Sequence, residues 1–308
     1  MKDEGTAMSA EQGPSSRDTE DLVHPSSFIL HPSKEPIGII AGWGRYPIVF
    51  AEKAREMGIP VVCVGVRGMA DKSTLAPIVH RFYWTRLGSM SRPIKVFKRE
   101  GVRNWVWAGK IHKISLFKPF RWLTILPDWR MIRFWFFRSR KNNADDTLAM
   151  LITEEYAKEG LICSSALELC PELLVKPGVA TKRQPTEGER RDIAYGWELA
   201  KEMGRLDIGQ SVMVREQAVL AVEAIEGTDR AIQRAGELCH GRAFVVVKVA
   251  KPQQDMRFDV PTIGISTIEM MKKSGAKVLA VEAGKTIVLD QAETIALADR
   301  YGITVVAQ

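Results

Sequence analysis

Paired cysteines and clustered histidines are missing from this 308-residue sequence. The four cysteines, Cys63, Cys163, Cys170 and Cys239, form no CxxC pair, so we expect buried free thiols in a reducing compartment. The five histidines are scattered, and none has the HExxH spacing. The sequence therefore predicts neither a zinc site nor a nucleophilic triad based on histidine.

Long apolar runs are also missing. No window approaches the roughly 18 apolar residues that a membrane-spanning helix needs. The N-terminal segment is acidic and polar, and it lacks the apolar core of a signal peptide. We therefore expect a cytoplasmic protein, or one peripheral to the cytoplasmic face of the inner membrane.

Charge is unevenly distributed along the chain. Lys and Arg number 44 against 37 Asp and Glu, a net charge of +7. Residues 1–36 contain three basic and seven acidic residues, so the remainder carries +11. Residues 1–35, rich in Ser, Pro, Glu and Asp, are predicted to be a disordered acidic tail. The positive remainder favours anionic partners, which include phosphorylated ligands, nucleic acid and anionic membranes.

Short apolar strands alternate with helices and indicate an α/β fold. Strands are predicted at Ile37 to Gly42, Val61 to Val66 and Asn104 to Gly109, with Pro47 opening a helix after the first. These elements predict a Rossmann-like N-terminal domain with a parallel sheet over residues 36–175. The polar, Pro- and Gly-containing segment 176–188 is predicted to be a linker, and 189–308 a C-terminal α/β catalytic domain.

A glycine loop, Gly42-Trp43-Gly44-Arg45-Tyr46-Pro47, follows the first predicted strand. Glycines before a helix allow a phosphate to approach the backbone, although a tight turn without ligand has the same composition. The loop is a poor dinucleotide fingerprint because Pro47 stands where GxGxxG requires glycine.

Residues 105–141 combine aromatic and basic side chains. Ten of the 33 residues from 105 to 137 are aromatic, and nine positive charges lie between 110 and 141 against Asp128 alone. This composition suits a lipid or membrane surface, stacking on single-stranded nucleic acid, or an aromatic core with solvated charges.

Seven acids lie near predicted strand ends or helix starts: Asp145, Asp146, Asp207, Glu223, Glu226, Asp229 and Asp259. Magnesium prefers oxygen ligands, commonly one or two carboxylates with substrate phosphates and water. Taken singly, each acid could instead be a helix cap or a surface charge. In Glu226-Gly227-Thr228-Asp229, for example, Gly227 would form a turn and Thr228 would be the N-cap of a helix. Asp259 closely follows three cations, Lys248, Lys251 and Arg257, a composition that suits a metal with a polyphosphate.

Several long motifs occur together and in order. GRLDIGQSVMV (204–214), VLAVEAIEGTD (219–229), KPQQDMRFDVPTIG (251–264) and AVEAGKTIVLD (280–290), with AGWGRYP (41–47), resemble the UDP-2,3-diacylglucosamine pyrophosphatases of lipid A biosynthesis, LpxI type. Tyr46 departs from the leucine usual in the family's first loop, which bears on the shape of the lipid pocket rather than on the reaction.

The resemblance implies magnesium-dependent hydrolysis of UDP-2,3-diacylglucosamine to UMP and 2,3-diacylglucosamine 1-phosphate. It also implies two α/β domains joined by a linker, with the substrate between them and the acyl chains in an apolar crevice. The family's key aspartate falls in its RxDxPTIG segment, which makes Asp259 the first catalytic candidate.

We accordingly predict catalytic roles for Asp259 and Asp207, and Mg²⁺ ligation by Asp259, Glu226 and Asp229. Predicted substrate contacts are Gly42, Gly44, Lys110, Gln210, Gly227, Thr228, Lys251, Arg257 and Thr262. The expected partners are a nucleotide-activated lipid, an anionic membrane surface and a further copy of the chain in a homo-oligomer, without nucleic acid. The alternative hypothesis is a non-catalytic nucleic-acid-binding protein based on the basic, aromatic segment.

Overall fold

The computed structural model describes residues 35–111, 126–138 and 145–308. The strands are β1 (Ile37–Ala41), β2 (Val61–Val66), β3 (Arg81–Thr85), β4 (Asn104–Ala108), β5 (Ile162–Cys163), β6 (Gly178–Val179), β7 (Ser211–Arg215), β8 (Ala218–Val222), β9 (Phe244–Lys248), β10 (Thr262–Ile263), β11 (Ala276–Val281), β12 (Ile287–Val288) and β13 (Thr304–Ala307). The helices are α1 (Tyr46–Glu56), α2 (Lys72–Leu75), α3 (Ser91–Arg99), α4 (Trp129–Arg138), α5 (Asp145–Ala157), α6 (Glu187–Arg205), α7 (Thr228–Leu238), α8 (Ile265–Ser274) and α9 (Gln291–Tyr301).

The N-terminal sheet is parallel throughout, in the order β3-β2-β1-β4-β5. Successive residues of β1 point to opposite faces, with Ile39 in one buried cluster and Ile40 in another. Both faces are therefore covered, which explains the unbroken apolar run of this strand. The predicted parallel α/β sheet is confirmed; β3 and β5 extend it beyond the three predicted strands.

The C-terminal sheet is mixed, in the order β6-β13-β11-β9-β7-β8. The central strands β9, β11 and β13 are parallel, whereas β7 runs antiparallel to both of its neighbours. Buried apolar clusters cover the two faces, one containing Val246 and Leu279 and the other containing Val245 and Val278. The predicted second α/β domain is therefore confirmed.

The segment predicted as a linker, 176–188, differs from that prediction. Its residues Gly178–Val179 pair antiparallel with β13, and Thr181 accepts a 2.9 Å hydrogen bond from the Val305 amide. Helix α6 already begins at Glu187, behind a capping box formed by Thr186. Because its backbone groups pair with the last strand, most of the segment belongs to the edge of the C-terminal domain.

The two domains are in direct contact at several points. Leu174 forms an isolated bridge with Ile287, and Ile287 is buried in a cluster otherwise made of N-terminal residues. The Ser165 hydroxyl donates a 3.0 Å hydrogen bond to the Met256 carbonyl. Arg45, in the glycine loop, forms a salt bridge of 3.2 Å with Asp290 ahead of α9. The junction is thus both packed and polar.

Only part of the basic, aromatic segment 105–141 lies within the described residues, and the beginning of that part is in the core. Trp105 is fully buried, and its ring centroid lies 4.8 Å from that of Tyr156 and 5.2 Å from that of Trp107. Its first aromatics are therefore core residues, whereas Trp129 is 77% exposed. Residues 112–125 and 139–144, and residues 1–34 of the predicted tail, lie outside the described residues.

All four cysteines are buried free thiols, as predicted. In the described ranges, every helix is too short or too polar to cross a bilayer.

Candidate functional site

The carboxyl ends of β1 and β4 form the N-terminal side of the candidate site. The strand order reverses between these two strands, and open parallel sheets commonly bind ligands at such a point. The Trp43 amide donates to the Lys110 carbonyl at 2.9 Å, and the Lys110 amide donates to the Trp43 carbonyl at 2.8 Å. This two-way bridge fixes Lys110 beside the glycine loop.

Glycine is favoured at positions 42 and 44 of the loop for two different structural reasons. A Cβ on Gly42 would lie 2.7 Å from the Lys110 carbonyl oxygen, so glycine is required for the close approach of the two loops. Gly44 has φ of +107°, a conformation that favours glycine, and a Cβ there would meet open space. The loop predicted to contact substrate therefore leaves Gly44 accessible while Gly42 holds Lys110 in position.

A buried polar triad forms the opposite side, in the C-terminal domain. The Lys248 ammonium donates a 2.7 Å hydrogen bond to the Thr228 hydroxyl, which donates a 2.8 Å hydrogen bond to the Glu223 carboxylate. Lys248 is 3% exposed, Glu223 8% and Thr228 9%. Lys248 ends β9, Glu223 follows β8, and Thr228 opens α7. Three different elements thus deliver these side chains to one end of the sheet.

Thr228 does not have the role predicted for it as an N-cap. Gly227, with φ of +85°, is the N-cap of α7, and Thr228 is the first helical residue. Its hydroxyl is consequently available to join Glu223 to Lys248.

The charge of Glu223 is maintained by its surroundings. Burial acts to raise the pKa of its carboxyl, but Lys248 and the hydroxyls of Ser211 and Thr228 outweigh burial and hold the pKa below its ordinary value. One carboxylate oxygen, Oε2, is buried without a hydrogen bond from the described residues. The Ser211 hydroxyl is near enough to affect the pKa, yet its geometry is not that of a hydrogen bond to Oε2.

Lys110 connects the two sides electrostatically. Desolvation lowers the pKa of its ammonium below the ordinary value, and the like charge of Lys248 lowers it further. Asp229 and Glu223 oppose this shift. Lys110 as a whole residue is nevertheless exposed to solvent. The charges of the C-terminal triad thus act on a cation of the N-terminal domain.

Asp207 and Lys251, predicted as catalytic and substrate-binding residues, form an ion pair. The Lys251 ammonium donates to the Asp207 carboxylate, and only 9% of the Lys251 side chain is exposed. Asp207 has φ of +56°, so a left-handed turn directs it toward its partner. The Lys251 amide also donates to the Gln254 side chain at 2.8 Å. The structure therefore brings these two predicted residues together.

Asp259 lies half-buried in the segment that contacts the N-terminal domain. Its amide donates to the Asp255 carbonyl at 3.1 Å, and the next residue, Val260, packs against the N-terminal core. Its carboxylate has no hydrogen bond or ion pair with any residue in the described ranges. Arg257, in contrast, is held by Asp255 through bonds of 3.0 Å and 2.6 Å, which raises the pKa of its guanidinium.

The remaining predicted residues lie in different settings. Glu226 forms a 2.9 Å salt bridge with Arg234, and Asp229 lies in the first turn of α7. Thr262 lies in β10 and donates a 2.9 Å hydrogen bond to the Val260 carbonyl. The side-chain oxygen of Gln210 is buried without a hydrogen-bond partner in the described part of the chain.

The three predicted metal ligands do not form a preassembled carboxylate cluster. Within 35–111, 126–138 and 145–308, no three Asp, Glu, His or Cys side chains are grouped closely enough to hold a metal ion. Asp259, Glu226 and Asp229 are therefore not gathered as a set of three, and their metal-binding role stays a prediction.

The sequence named Lys248 only as one of the three cations that precede Asp259, without assigning it a role, and it did not single out Glu223 from the seven acids. A signal for Lys248 existed, because a charged residue ends the otherwise apolar strand FVVVK, which is buried throughout. The pairing of Arg45 with Asp290 joins residues 245 apart and has no local signal.

Comparisons with known proteins cover almost the whole chain. A family described as the LpxI N-terminal domain matches residues 36–173, and one described as the LpxI C-terminal domain matches residues 176–306. The chain is 33% identical over 281 residues to UDP-2,3-diacylglucosamine pyrophosphatase LpxI of Caulobacter vibrioides, covering 87% of this chain and 96% of that protein.

A similarity to one solved structure is much weaker. The biotin carboxylase domain of Hydrogenobacter thermophilus 2-oxoglutarate carboxylase is 13% identical, with 67% of this chain and 42% of that chain covered and a TM-score of 0.23. A similarity this low carries no argument.

Proposed function

The chain belongs to the LpxI family, and from that premise we propose that it hydrolyses UDP-2,3-diacylglucosamine to UMP and 2,3-diacylglucosamine 1-phosphate. One phosphoanhydride P–O bond breaks, the oxygen of a water molecule forms a new bond to phosphorus, and two phosphomonoesters leave. The site observation that carries the proposal is the buried chain of hydrogen bonds from Lys248 through Thr228 to Glu223, whose charges also act on Lys110 of the N-terminal domain.

The charge balance at this junction suits a pyrophosphate. Lys110 and Lys248 supply two positive charges against the buried carboxylate of Glu223 and the exposed one of Asp229, and the amino end of α7 adds a positive dipole. An incoming phosphate would relieve the repulsion that Lys248 exerts on Lys110. In this proposal Lys110 binds a phosphate oxygen, while Thr228 and Glu223 hold Lys248 in position.

Magnesium is part of the proposal. Two buried oxygen atoms beside β7, Oε2 of Glu223 and the side-chain oxygen of Gln210, have no hydrogen-bond partner among the described residues. The Asp259 carboxylate likewise has no partner within those residues. These hard oxygen donors fit Mg²⁺, which takes few carboxylates and completes its shell with phosphates and water. When bound, the ion would neutralise phosphate charge and polarise the scissile bond.

We assign different roles to the two catalytic candidates. Asp259, without a partner among the described residues, accepts the proton of the attacking water or orients that water. Asp207, already paired with Lys251, positions that ammonium toward the phosphates rather than acting on water. Arg257, Thr262, Gly227 and Gly44 remain proposed substrate contacts.

The proposed partners include a membrane surface and a second copy of the chain. A diacylated substrate resides in a membrane, so we expect the enzyme to associate peripherally with an anionic bilayer. Formation of a homo-oligomer likewise stays a prediction.

The experiment is an assay of UMP release from UDP-2,3-diacylglucosamine by the purified full chain. We expect release with Mg²⁺ and its loss on adding EDTA, with activity restored by excess Mg²⁺. Hydrolysis in ¹⁸O-labelled water followed by mass spectrometry then shows which phosphorus is attacked. Absence of UMP under all metal conditions would end the proposal, whereas full activity in EDTA would remove only its metal component.

A further inference from the structure

A buried carboxylate of the C-terminal domain holds the backbone that leads into the candidate site. Glu282 directly follows β11, and Val281 at the end of that strand pairs in register with Lys248 at the end of β9. The Glu282 carboxylate accepts hydrogen bonds from the Ala250 amide at 2.9 Å and from the Lys201 ammonium at 2.5 Å. The Lys201 ammonium also donates to the Ala250 carbonyl at 3.1 Å. We call Lys201 and Glu282 the clamp, because together they bond both backbone polar groups of Ala250.

The clamp is ionised although it is largely removed from solvent. Glu282 is 9% exposed and Ala250 2%. Burial acts to raise the pKa of the Glu282 carboxyl, but Lys201, Lys285 and the Ala250 amide outweigh burial and hold the pKa below its ordinary value. The hydrogen bond from the Ala250 amide therefore ends on a charged acceptor, which makes it stronger than one between neutral groups.

Helix α6, which carries Lys201, contacts the same segment again one turn later. A Cβ on Gly204 would lie 3.2 Å from the Lys251 Cα, so the helix backbone packs directly against this residue. The Gly204 carbonyl accepts a 3.0 Å hydrogen bond from the Gln253 side chain. Because residues three apart lie on one face of a helix, Lys201 and Gly204 together fix the end of α6 against residues 250–253.

Both members of the Asp207–Lys251 ion pair extend from this contact. Lys251 directly follows Ala250, and Asp207 follows the end of α6 at Arg205 by two residues. The Lys251 amide is bonded to the Gln254 side chain at 2.8 Å, and only 9% of the Lys251 side chain is exposed. The position of the Lys251 ammonium is therefore determined by how firmly α6 and Ala250 are held together.

We infer that the clamp is a positioning device for the reaction: Lys201 and Glu282 hold Ala250 so that the adjacent Lys251 ammonium is directed at the pyrophosphate. The inference rests on the proposed function, in which Lys251 lies toward the phosphates. Lys201 and Glu282 themselves are positioning residues, which act through Lys251 rather than on the substrate. A displacement of about 1 Å in such a group can lower a rate about 100-fold.

The test is a double-mutant cycle between Lys201→Met and Lys251→Met in the full chain, measured as kcat/KM for UMP release. We expect Lys201→Met alone to lower kcat/KM by about 10–100-fold, because Lys251 is no longer held in place. In the Lys251→Met background the same change should have almost no further effect. Lys201→Arg keeps a cation that can pair with Glu282, so it should retain most of the activity. Additive losses in the cycle, or a wild-type kcat/KM in Lys201→Met, would overturn the inference.

A matched control separates positioning from stability. Glu189, in the first turn of α6, also joins a cation to a backbone amide: its carboxylate accepts from the Arg183 guanidinium at 2.7 Å and from the Thr186 amide at 2.8 Å. We expect Glu282→Gln and Glu189→Gln both to lower the free energy of unfolding, but only Glu282→Gln to lower kcat/KM. Circular dichroism verifies that each variant is folded at the assay temperature. An equal loss of kcat/KM in Glu189→Gln would overturn the inference.

Binding of UDP with Mg²⁺, measured by calorimetry, separates this inference from the proposed function. We expect Lys201→Met to weaken UDP binding in the wild-type background and to leave it unchanged in the Lys251→Met background. A wild type that binds UDP with this coupling but releases no UMP would refute the proposed hydrolysis and leave the clamp supported. Release of UMP without coupling in either readout would refute the clamp alone. A wild type that neither binds UDP nor releases UMP would refute both.

Discussion

The ammonium of Lys248 lies 2.7 Å from the hydroxyl of Thr228, and through that hydroxyl a buried cation is joined to a buried carboxylate. Neither residue is more than 9% exposed. Because an unpaired buried charge costs several kcal/mol, this arrangement makes the hydroxyl of one threonine important to the whole triad.

Thr228→Val tests the bridge with almost no change in volume. Removing the hydroxyl leaves Lys248 and Glu223 each short of a hydrogen bond, so we expect the free energy of unfolding to fall by about 1–3 kcal/mol. UMP release should fall with it. Urea denaturation and the substrate assay measure both effects. Thr228→Ser is the control, because it keeps the hydroxyl; if it were as damaging as valine, packing rather than hydrogen bonding would be responsible.

Lys248→Met tests the charge compensation. Glu223 would then be a buried carboxylate without its main cation, and we expect a loss of about 3–5 kcal/mol in the free energy of unfolding. Adding Glu223→Gln removes the stranded charge, so the double variant should recover most of this stability. Additive losses in the two single variants and the double variant would contradict the pairing.

Gly42→Ala tests the close approach of the glycine loop to Lys110. The new Cβ would lie 2.7 Å from a backbone oxygen that cannot move freely, so we expect a loss of more than about 1 kcal/mol in the free energy of unfolding and a raised KM. Gly188→Ala is the control, since a Cβ there meets nothing within 4 Å and the residue is helical. Unchanged stability and KM in Gly42→Ala would refute the steric argument.

Much of the fold follows from local pattern, because each buried strand carries its own apolar run. The short strand β6 was predicted as linker because its two residues, Gly178 and Val179, carry no apolar pattern and are ordered by pairing with β13.

The site is less predictable than the fold. The resemblance of the motifs selects Asp259, Asp207 and Lys251 as candidates. Asp207 and Lys251 do form an ion pair in the structure. The triad depends on three elements meeting at one sheet end, which spacing along the chain does not encode. Lys110, on which the charges of Lys248 and Glu223 act, belongs to the other domain and lies more than a hundred residues away in sequence.

Glu159 provides a pH test away from the site. Hydrogen bonds from Lys98 and Arg130 lower the pKa of its carboxyl from 4.5 to about 2. Because the folded state binds the proton more weakly than the unfolded state, this contribution to stability is complete above the ordinary pKa of Glu and is lost as pH falls toward 2. Glu159→Gln should therefore be less stable than wild type at pH 7, with the difference shrinking in acid. A difference independent of pH would contradict the assignment.

The most direct test of the account is turnover by Asp259→Asn, measured together with substrate binding. The variant retains the size of the side chain but loses the carboxylate that has no partner among the described residues. We predict a dissociation constant for UDP-2,3-diacylglucosamine close to that of the wild type and a kcat for UMP release lower by about 10²–10⁴-fold. A kcat near that of the wild type would contradict the assignment of Asp259 and, with it, the proposed placement of the chemistry at the domain junction.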